Sequence, residues 1–338
     1  MIVEMRKGAT KDEVGTVVQK AKSLNLGVQL NLGTDKTVVA LLGSNTGQIP
    51  TDIFAVLPGV ESVTRIMKPY KLASREFRPK STVVDCSGVK IGGERIIVIA
   101  GPCAVESEQQ LMQAAEGVKK AGASIMRGGA FKPRTSPFSF QGLQQKGLEL
   151  LDKAREKYEL PVVTEVVDPY DVEMVASHAD MLQIGSRNMQ NFSLLTNAGK
   201  SQRPVVLKRG FSCTITEWLT AADYLLAEGK NQVILCERGI RTFEDSIRFS
   251  LDISAVPVIK RFSHLPVIVD PSHAAGHYSL VPAVAKAAVA AGADGLLIEV
   301  HPNPKEALVD GLQSLSISDF TRLMDELRAI AKSIGRYI

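Results

Sequence analysis

"IIVIAGPC", residues 96–103, is a short apolar run rich in β-branched residues that stops abruptly at Gly-Pro-Cys. Such a run suits a strand buried on both faces, as in a parallel sheet covered by helices. The pattern recurs in "SIMRGGA" (124–130), "PVVTEV" (161–166), "MLQIGS" (181–186) and "PVVLKRG" (204–210). It recurs again in "QVILCERG" (232–239), "PVIVDPSH" (266–273) and "GLLIEVH" (295–301). The eight runs are spaced by about 20–35 residues, with helical sequence after each, which predicts a closed (β/α)8 TIM barrel over 81–338. An open doubly wound sheet would seldom need eight units. No Gly-x-Gly-x-x-Gly follows the first run, so a dinucleotide-binding fold lacks support.

The chain before the barrel reads differently. "MIVEM" is a strand, and "TKDEVGTVVQKAKSLNL" is an amphipathic helix with Thr10 as N-cap and Glu13 completing a capping box. "GVQLNLG" and "KTVVALLG" read as strands, "IPTDIFAVLPG" as a second helix and "VESVTRIM" as a last strand. The order βαββαβ is the split-βαβ pattern of a small α+β domain, placed at 1–70. "KPYKLASREFRPK" (68–80) is basic, lacks apolar periodicity and is bounded by Pro69 and Pro79, so 71–80 is read as an extended linker. "STVVDCSGVKIGGERI" (81–96) reads as a hairpin closed by a Gly-Gly turn, placed to plug the N-terminal mouth of the barrel.

Composition narrows the function. A net charge of +4 over 338 residues is too small for a nucleic-acid footprint, and 5% aromatic residues leave little for base stacking. No apolar stretch reaches the length of a membrane span, and the first residues lack the apolar core of a signal peptide. A cytoplasmic protein is expected, with neither nucleic acid nor membrane as partner. Cys86, Cys103, Cys213 and Cys236 are scattered, with no CxxC pair, so a disulfide framework is not expected. Except at Cys103, they read as small buried hydrophobes. His178, His264 and His277 read as structural or solvent-facing.

In a TIM barrel the active site is built at the C-terminal ends of the strands. Cations crowd four of those ends: Arg127, Lys132 and Arg134 after the second run, Arg187 after the fourth, Lys208 and Arg209 after the fifth, Arg238 after the sixth. Any one of them alone would be a solvated surface charge. Converging on one axis, they imply a ligand with several negative charges, phosphate or carboxylate, because unpaired buried cations are costly. The prolines and glycines of "MRGGAFKPRTSPFSFQG" (126–142) would hold such a loop stiff. A second cluster falls on the first, seventh and eighth ends, which are contiguous once the barrel closes. Cys103, His273 and Glu299 converge there, with Asp310 within reach from the following loop. A thiolate, an imidazole and two carboxylates suit a divalent transition metal, while a core cysteine beside a satisfied histidine and a salt-bridged glutamate is the alternative. His301 can orient a ligand from behind.

The blocks "AGPCAVES", "RGGAFKPRTSPFSFQG", "QIGSRNMQN", "LKRG", "CERGIRTFE", "DPSHAAG" and "IEVHPNPKEALVDGLQS" together resemble the 3-deoxy-D-arabino-heptulosonate-7-phosphate (DAHP) synthases. The resemblance is to their short-barrel branch, close to the octulosonate-phosphate synthases. Those enzymes typically carry a Lys-Ala-Asn-Arg-Ser-Ser type stretch where this chain has "KPRTS" (132–136), which favours the DAHP branch. The resemblance implies condensation of phosphoenolpyruvate with erythrose 4-phosphate and water, the first step towards chorismate and the aromatic amino acids. Arg127 and Lys132 would hold the phosphoenolpyruvate carboxylate, and Ser186, Arg187, Lys208 and Arg238 its phosphate. Pro133, Arg134, Thr135 and Ser136 would receive erythrose 4-phosphate. Cys103, His273, Glu299 and Asp310 would bind the metal, commonly Mn²⁺, so that Lys132, Cys103 and His273 carry the catalytic work. Glu165, Asp168 or Glu237 would orient the attacking water. An imine on Lys132 or Lys208 is the other chemical route, and a non-catalytic phosphometabolite-binding regulator is the other class of function. The first 70 residues resemble the ferredoxin-like, ACT-related module of some of these synthases. That implies feedback inhibition by tyrosine or phenylalanine, with a purely oligomerising module as the alternative. The family usually forms tetramers.

Overall fold

The structure, a computed structural model, describes the chain except for residues 33–35, 44, 66, 67, 135, 230 and 231. Its contacts divide it into two units, Met1–Ser81 with Phe262–His264, and Thr82–Arg261 with Leu265–Ile338.

The first unit follows the expected βαββαβ order: β1 (Ile2–Met5), α1 (Lys11–Ser23), β2 (Gly27–Leu32), β3 (Thr37–Leu42), α2 (Asp52–Ala55) and β4 (Val60–Thr64). The sheet order is β2-β3-β1-β4, antiparallel throughout. The capping box is formed, with Glu13 N–H donating to Thr10 Oγ1 at 3.2 Å and Thr10 N–H to Glu13 Oε2 at 2.7 Å. Val17 and Ala21, one helical turn apart, pack with Val3, Val39, Leu41 and Phe54 in one core. The second helix is a single turn of four residues. Residues 68–80 depart from the expected extended linker. They wind through successive turns and bury Tyr70, Leu72, Ala73 and Phe77. Pro69, Pro79 and the cations interspersed among those four residues hide the packed segment from a sequence reading.

In the second unit all eight predicted runs are strands: β7 (Ile97–Gly101), β8 (Ile125–Arg127), β9 (Val162–Glu165), β10 (Met181–Ile184), β11 (Val205–Lys208), β12 (Val233–Glu237), β13 (Val267–Val269) and β14 (Gly295–Glu299). They close in sequence order, all pairs parallel, with β14 beside β7. Helices α3 (Glu108–Ala121), α4 (Gln145–Tyr158), α5 (Val172–His178), α6 (Phe192–Lys200), α7 (Ile215–Ala227) and α8 (Ala255–Phe262) alternate with the strands. After β13 come α9 (Pro271–Ala275) and α10 (Val281–Ala290), and α11 (Ile317–Ser333) follows β14. Alternate strand residues such as Ile97, Ile99, Val206, Ile234 and Ile268 share one core inside the barrel.

The hairpin β5 (Val84–Cys86) and β6 (Val89–Ile91) adds Val84, Cys86 and Ile91 to that core, as a plug requires. Its turn is not the expected Gly-Gly pair. Ser87 (φ 48°) and Gly88 (φ 88°) make it, in the left-handed conformation that two-residue hairpins need. Gly92 and Gly93 fall after β6.

Candidate active site

The β8 loop, β10, β11 and the β12 loop supply the walls of a cavity of about 360 Å³. Arg127, Lys132, Pro133, Arg134, Ser136, Ser186, Arg187, Lys208 and Arg238 all line it, so every predicted anion-binding residue that is described comes together. Thr135 lies outside the described residues. Three buried donors on this wall, Arg127 Nε, Arg238 Nη1 and Ser186 Oγ, have no hydrogen-bond partner. Burial lowers the Arg238 guanidinium to about 10, with Asp270 opposing the shift. Unsatisfied buried donors facing one cavity fit an anionic ligand that supplies the acceptors.

Arg209 is the exception among the cations. It bonds Glu237 Oε2 at 2.8 Å, Asp252 Oδ2 at 2.9 Å and the Cys213 carbonyl at 2.8 Å, and it stays out of the cavity lining. The same contacts remove Glu237 as a water-orienting group, since its second oxygen accepts from Gly239 N–H at 2.7 Å. Asp168 caps the turn at Tyr170, 2.8 Å away, and does not line the cavity. Of the three carboxylates considered, Glu165 alone lines it, beside Gln183 and Lys132.

Cys103, His273, Glu299 and Asp310 offer one ligand atom each, all within 4.8 Å of one another. The fold explains the gathering: Glu299 pairs in register with Gly101, two residues before Cys103, across the seam where the barrel closes. The Cys103 thiol lies 3.4 Å from Asp310 Oδ2 and 3.2 Å from Lys132 Nζ. His273 Nε2 is 3.5 Å from Glu299 Oε1 and 3.7 Å from Asp310 Oδ2. Burial, and then Glu299, push the thiol well up, with Lys132 opposing. Burial would raise Asp310, but His273 and Arg248 bring it to about 2. A buried thiol, an imidazole and two carboxylates with ligand atoms within 4.8 Å of one another are a donor set that a divalent cation fits, by charge and by softness.

Burial would lower the Lys132 ammonium, but Cys103, Glu165 and Glu299 more than reverse that and hold it cationic. Arg127 Nη1 is 3.1 Å from Glu299 Oε1, so this cation faces a candidate ligand as well as the cavity. Lys208 Nζ is held by Asp270 Oδ2 at 2.6 Å.

Asp270 follows β13 directly, a strand-end carboxylate to which the sequence alone assigned no role. One oxygen contacts both Lys208 and His273 Nδ1, the latter at 2.8 Å, and the other accepts from His273 N–H at 2.9 Å. Burial alone would raise its pKa, and His273 and Lys208 instead hold it well below the usual carboxylate range. The contact turns His273 Nε2 toward the other three candidate ligands. The available signal was an aspartate three residues before a histidine in "DPSH". Two stacked rings also line the cavity, with no signal in the sequence: Phe211 and Phe249 have centroids 5.2 Å apart, and Arg238 lies 3.9 Å over Phe249. His301 donates from Nε2 toward Glu106, 3.3 Å away, while its Nδ1 accepts from Asn303 N–H.

Residues 70–334 match the DAHP synthetase I family, and residues 1–68 match the DAHP synthase ferredoxin-like domain. The chain belongs to the DAHP synthetase I family. A phospho-2-dehydro-3-deoxyheptonate aldolase of Thermotoga maritima is 49% identical over 335 residues, which cover 99% of each chain. A crystal structure of the Thermotoga maritima DAHP synthase matches with a TM-score of 0.79 and 48% identity, covering 99% of this chain and 98% of that one. A 2-dehydro-3-deoxyphosphooctonate aldolase of Geobacter sulfurreducens is 30% identical over 266 residues, 73% of this chain and 97% of its own. Among the described residues no helix is long and apolar enough to cross a membrane.

Proposed function

We propose that this member of the family condenses phosphoenolpyruvate with erythrose 4-phosphate and water, releasing DAHP and inorganic phosphate, with a divalent metal bound by Cys103, His273, Glu299 and Asp310. The observation that carries the reading is the meeting of two features in one cavity. A wall of cations with unsatisfied donors surrounds it, and two of the four candidate ligands, His273 and Asp310, line it.

Arg127 and Lys132 bind the phosphoenolpyruvate carboxylate, and Ser186, Arg187, Lys208 and Arg238 its phosphate. Pro133, Arg134, Thr135 and Ser136 receive the erythrose 4-phosphate. A divalent ion, Mn²⁺ in this reading, supplies Lewis acidity toward the aldehyde oxygen when bound. C3 of the enol phosphate bonds to the aldehyde carbon, water adds at C2, and the hemiketal phosphate so formed expels inorganic phosphate by C–O cleavage. Glu165 orients the water, and Lys132 is placed to protonate the new alkoxide. A cationic Lys132 suits anion binding and proton donation; imine formation would need the neutral amine.

The ferredoxin-like module senses tyrosine or phenylalanine, and the assembly is a tetramer. Phosphate release is measured with phosphoenolpyruvate and erythrose 4-phosphate, with Mn²⁺ or after EDTA, and with tyrosine or phenylalanine in parallel. Turnover that EDTA abolishes is expected. Turnover with arabinose 5-phosphate in place of erythrose 4-phosphate would move the chain to the octulosonate branch, to which its 30%-identical relatives point. Insensitivity to both amino acids would leave the module an oligomerising one.

A further inference from the structure

The loop after β12 and the loop after β14 meet in a chain of hydrogen bonds that ends on two candidate ligands. Arg248 Nη1 donates to Gln313 Oε1 at 2.6 Å and to Asp310 Oδ1 at 3.2 Å. Gln313, 2% exposed, passes the chain on, its Nε2 donating to Glu299 Oε2 at 2.6 Å. With its carbonyl taken by a guanidinium, the amide can present only its N–H group to Glu299, so its orientation is fixed by charge.

Each carboxylate is thereby divided. Glu299 gives Oε2 to Gln313 and turns Oε1 toward His273 Nε2, with Arg127 Nη1 3.1 Å from that same oxygen. Asp310 gives Oδ1 to Arg248 and keeps Oδ2 toward Cys103 and His273. Arg248 is itself seated on the helix that carries His273. Its N–H donates to the Ala275 carbonyl at 3.4 Å, and Phe249 N–H to that of Ala274 at 3.0 Å. The approach is close enough that a Cβ on Gly276 would stand 2.4 Å from Arg248 Cβ. Arg248 also lines the anion cavity.

We propose that Arg248 and Gln313 are positioning residues for the divalent metal, fixing which oxygen of Glu299 and of Asp310 faces it and linking the metal set to the cation-bearing β12 loop. The inference rests on reading the four residues as the metal set. Without these donors a buried carboxylate and a half-buried one must be ordered against their mutual repulsion when the ion binds, and that cost falls on affinity.

Co²⁺ is the probe. The metal-free protein is titrated with Co²⁺, following the thiolate charge-transfer absorption from Cys103, with a chromophoric chelator in competition. Q313A and R248M are each expected to raise the Co²⁺ dissociation constant by about 10- to 100-fold. R248K, which keeps the charge, should recover part of the loss, and the metal-free urea midpoints should match the parent. Should Q313A lower that midpoint, Q313E keeps the side-chain size, replaces the donor to Glu299 with an acceptor, and carries the test with the same expected weakening. Variant affinities within twofold of the parent would overturn the inference while leaving the metal site standing. A parent that binds Co²⁺ without the thiolate band would overturn both.

Discussion

Glu165 faces the cavity wall beside Lys132, and the room around it is kept by the glycine opposite. A Cβ on Gly185 would stand 2.0 Å from Glu165 Oε1. As the residue that orients the attacking water, Glu165 should matter to turnover more than to binding. E165Q is expected to lower kcat by about 10²- to 10⁴-fold, with KM for phosphoenolpyruvate within a few-fold of the parent. A kcat within fivefold would remove Glu165 from that role. His264 allows a test of a different kind. It is 1% exposed, its Nε2–H donates to the Leu72 carbonyl at 2.7 Å, and burial lowers its pKa to about 4, with Arg75 and Arg78 adding to the shift. The unfolded chain takes up a proton on this ring near pH 6.5, and the folded chain excludes it until about pH 4. Stability is therefore full above pH 6.5 and falls as pH drops towards 4, by roughly 3 kcal/mol. H264Q, which keeps a donor, should flatten that part of the urea-midpoint profile; an unchanged slope would exclude His264 as its cause. Cys103, His273 and Glu299 were legible as candidates because each stands at or just beyond a strand end, where the barrel's closure rule applies, and Asp310 because it lies in the loop that follows the last strand. Gln313, Arg248 and the tie of Asp270 to Lys208 were not, because those partners are remote in sequence. Lys208 and Asp270 are 62 residues apart, and Arg248 and Gln313 are 65 apart, with no local pattern joining either pair.

The hairpin shows how an element can be legible while its turn is not. Alternation marked β5 and β6, and a Gly-Gly pair looked like the turn signal. The structure uses Ser87-Gly88 instead, because that register puts Val84, Cys86 and Ile91 together on the barrel core. The three glycines therefore have separate tasks, and alanine substitution should rank them. Gly93 has open space at its Cβ position, and G93A should change stability by only about 0.5 kcal/mol or less. Gly88 has φ +88° with open space, so G88A should cost about 1 kcal/mol of backbone strain. Gly92 combines φ +101° with the Thr82 carbonyl 2.6 Å and Pro266 Cβ 3.0 Å from a built Cβ. G92A should cost the most of the three in equilibrium urea unfolding. A midpoint for G93A below that of G92A would overturn this account of the hairpin. The barrel strands needed no such correction, since a β-branched run buried on both faces is read the same way in either register.

Across the whole molecule, the candidate metal set binds the first strand of the barrel to the last. Cys103 follows β7, Glu299 ends β14, and these strands are hydrogen-bonded neighbours although Gly101 and Val300 are 199 positions apart in the chain, by way of seven other strand-to-strand steps. His273 sits in the first turn of α9, directly after β13, and Asp310 lies beyond β14 with φ +54°. An unfolded chain cannot hold Cys103 and Asp310 within 4.8 Å at useful frequency, because closing so long a loop costs entropy with no native contact to offset it. The ion should then bind the folded barrel and not the unfolded chain, and its binding free energy should appear as stability. With free Mn²⁺ held at about a hundred times its dissociation constant, the unfolding free energy should rise by about 2.7 kcal/mol, and EDTA should return it to the metal-free value. C103A removes one ligand and should abolish most of that shift. In the absence of metal, its own stability should change less, because burial keeps the thiol neutral there and the substitution removes only one small buried side-chain atom. Equal Mn²⁺-dependent shifts in parent and C103A would show that the ion stabilises the chain from some other place, and the seam reading would fail.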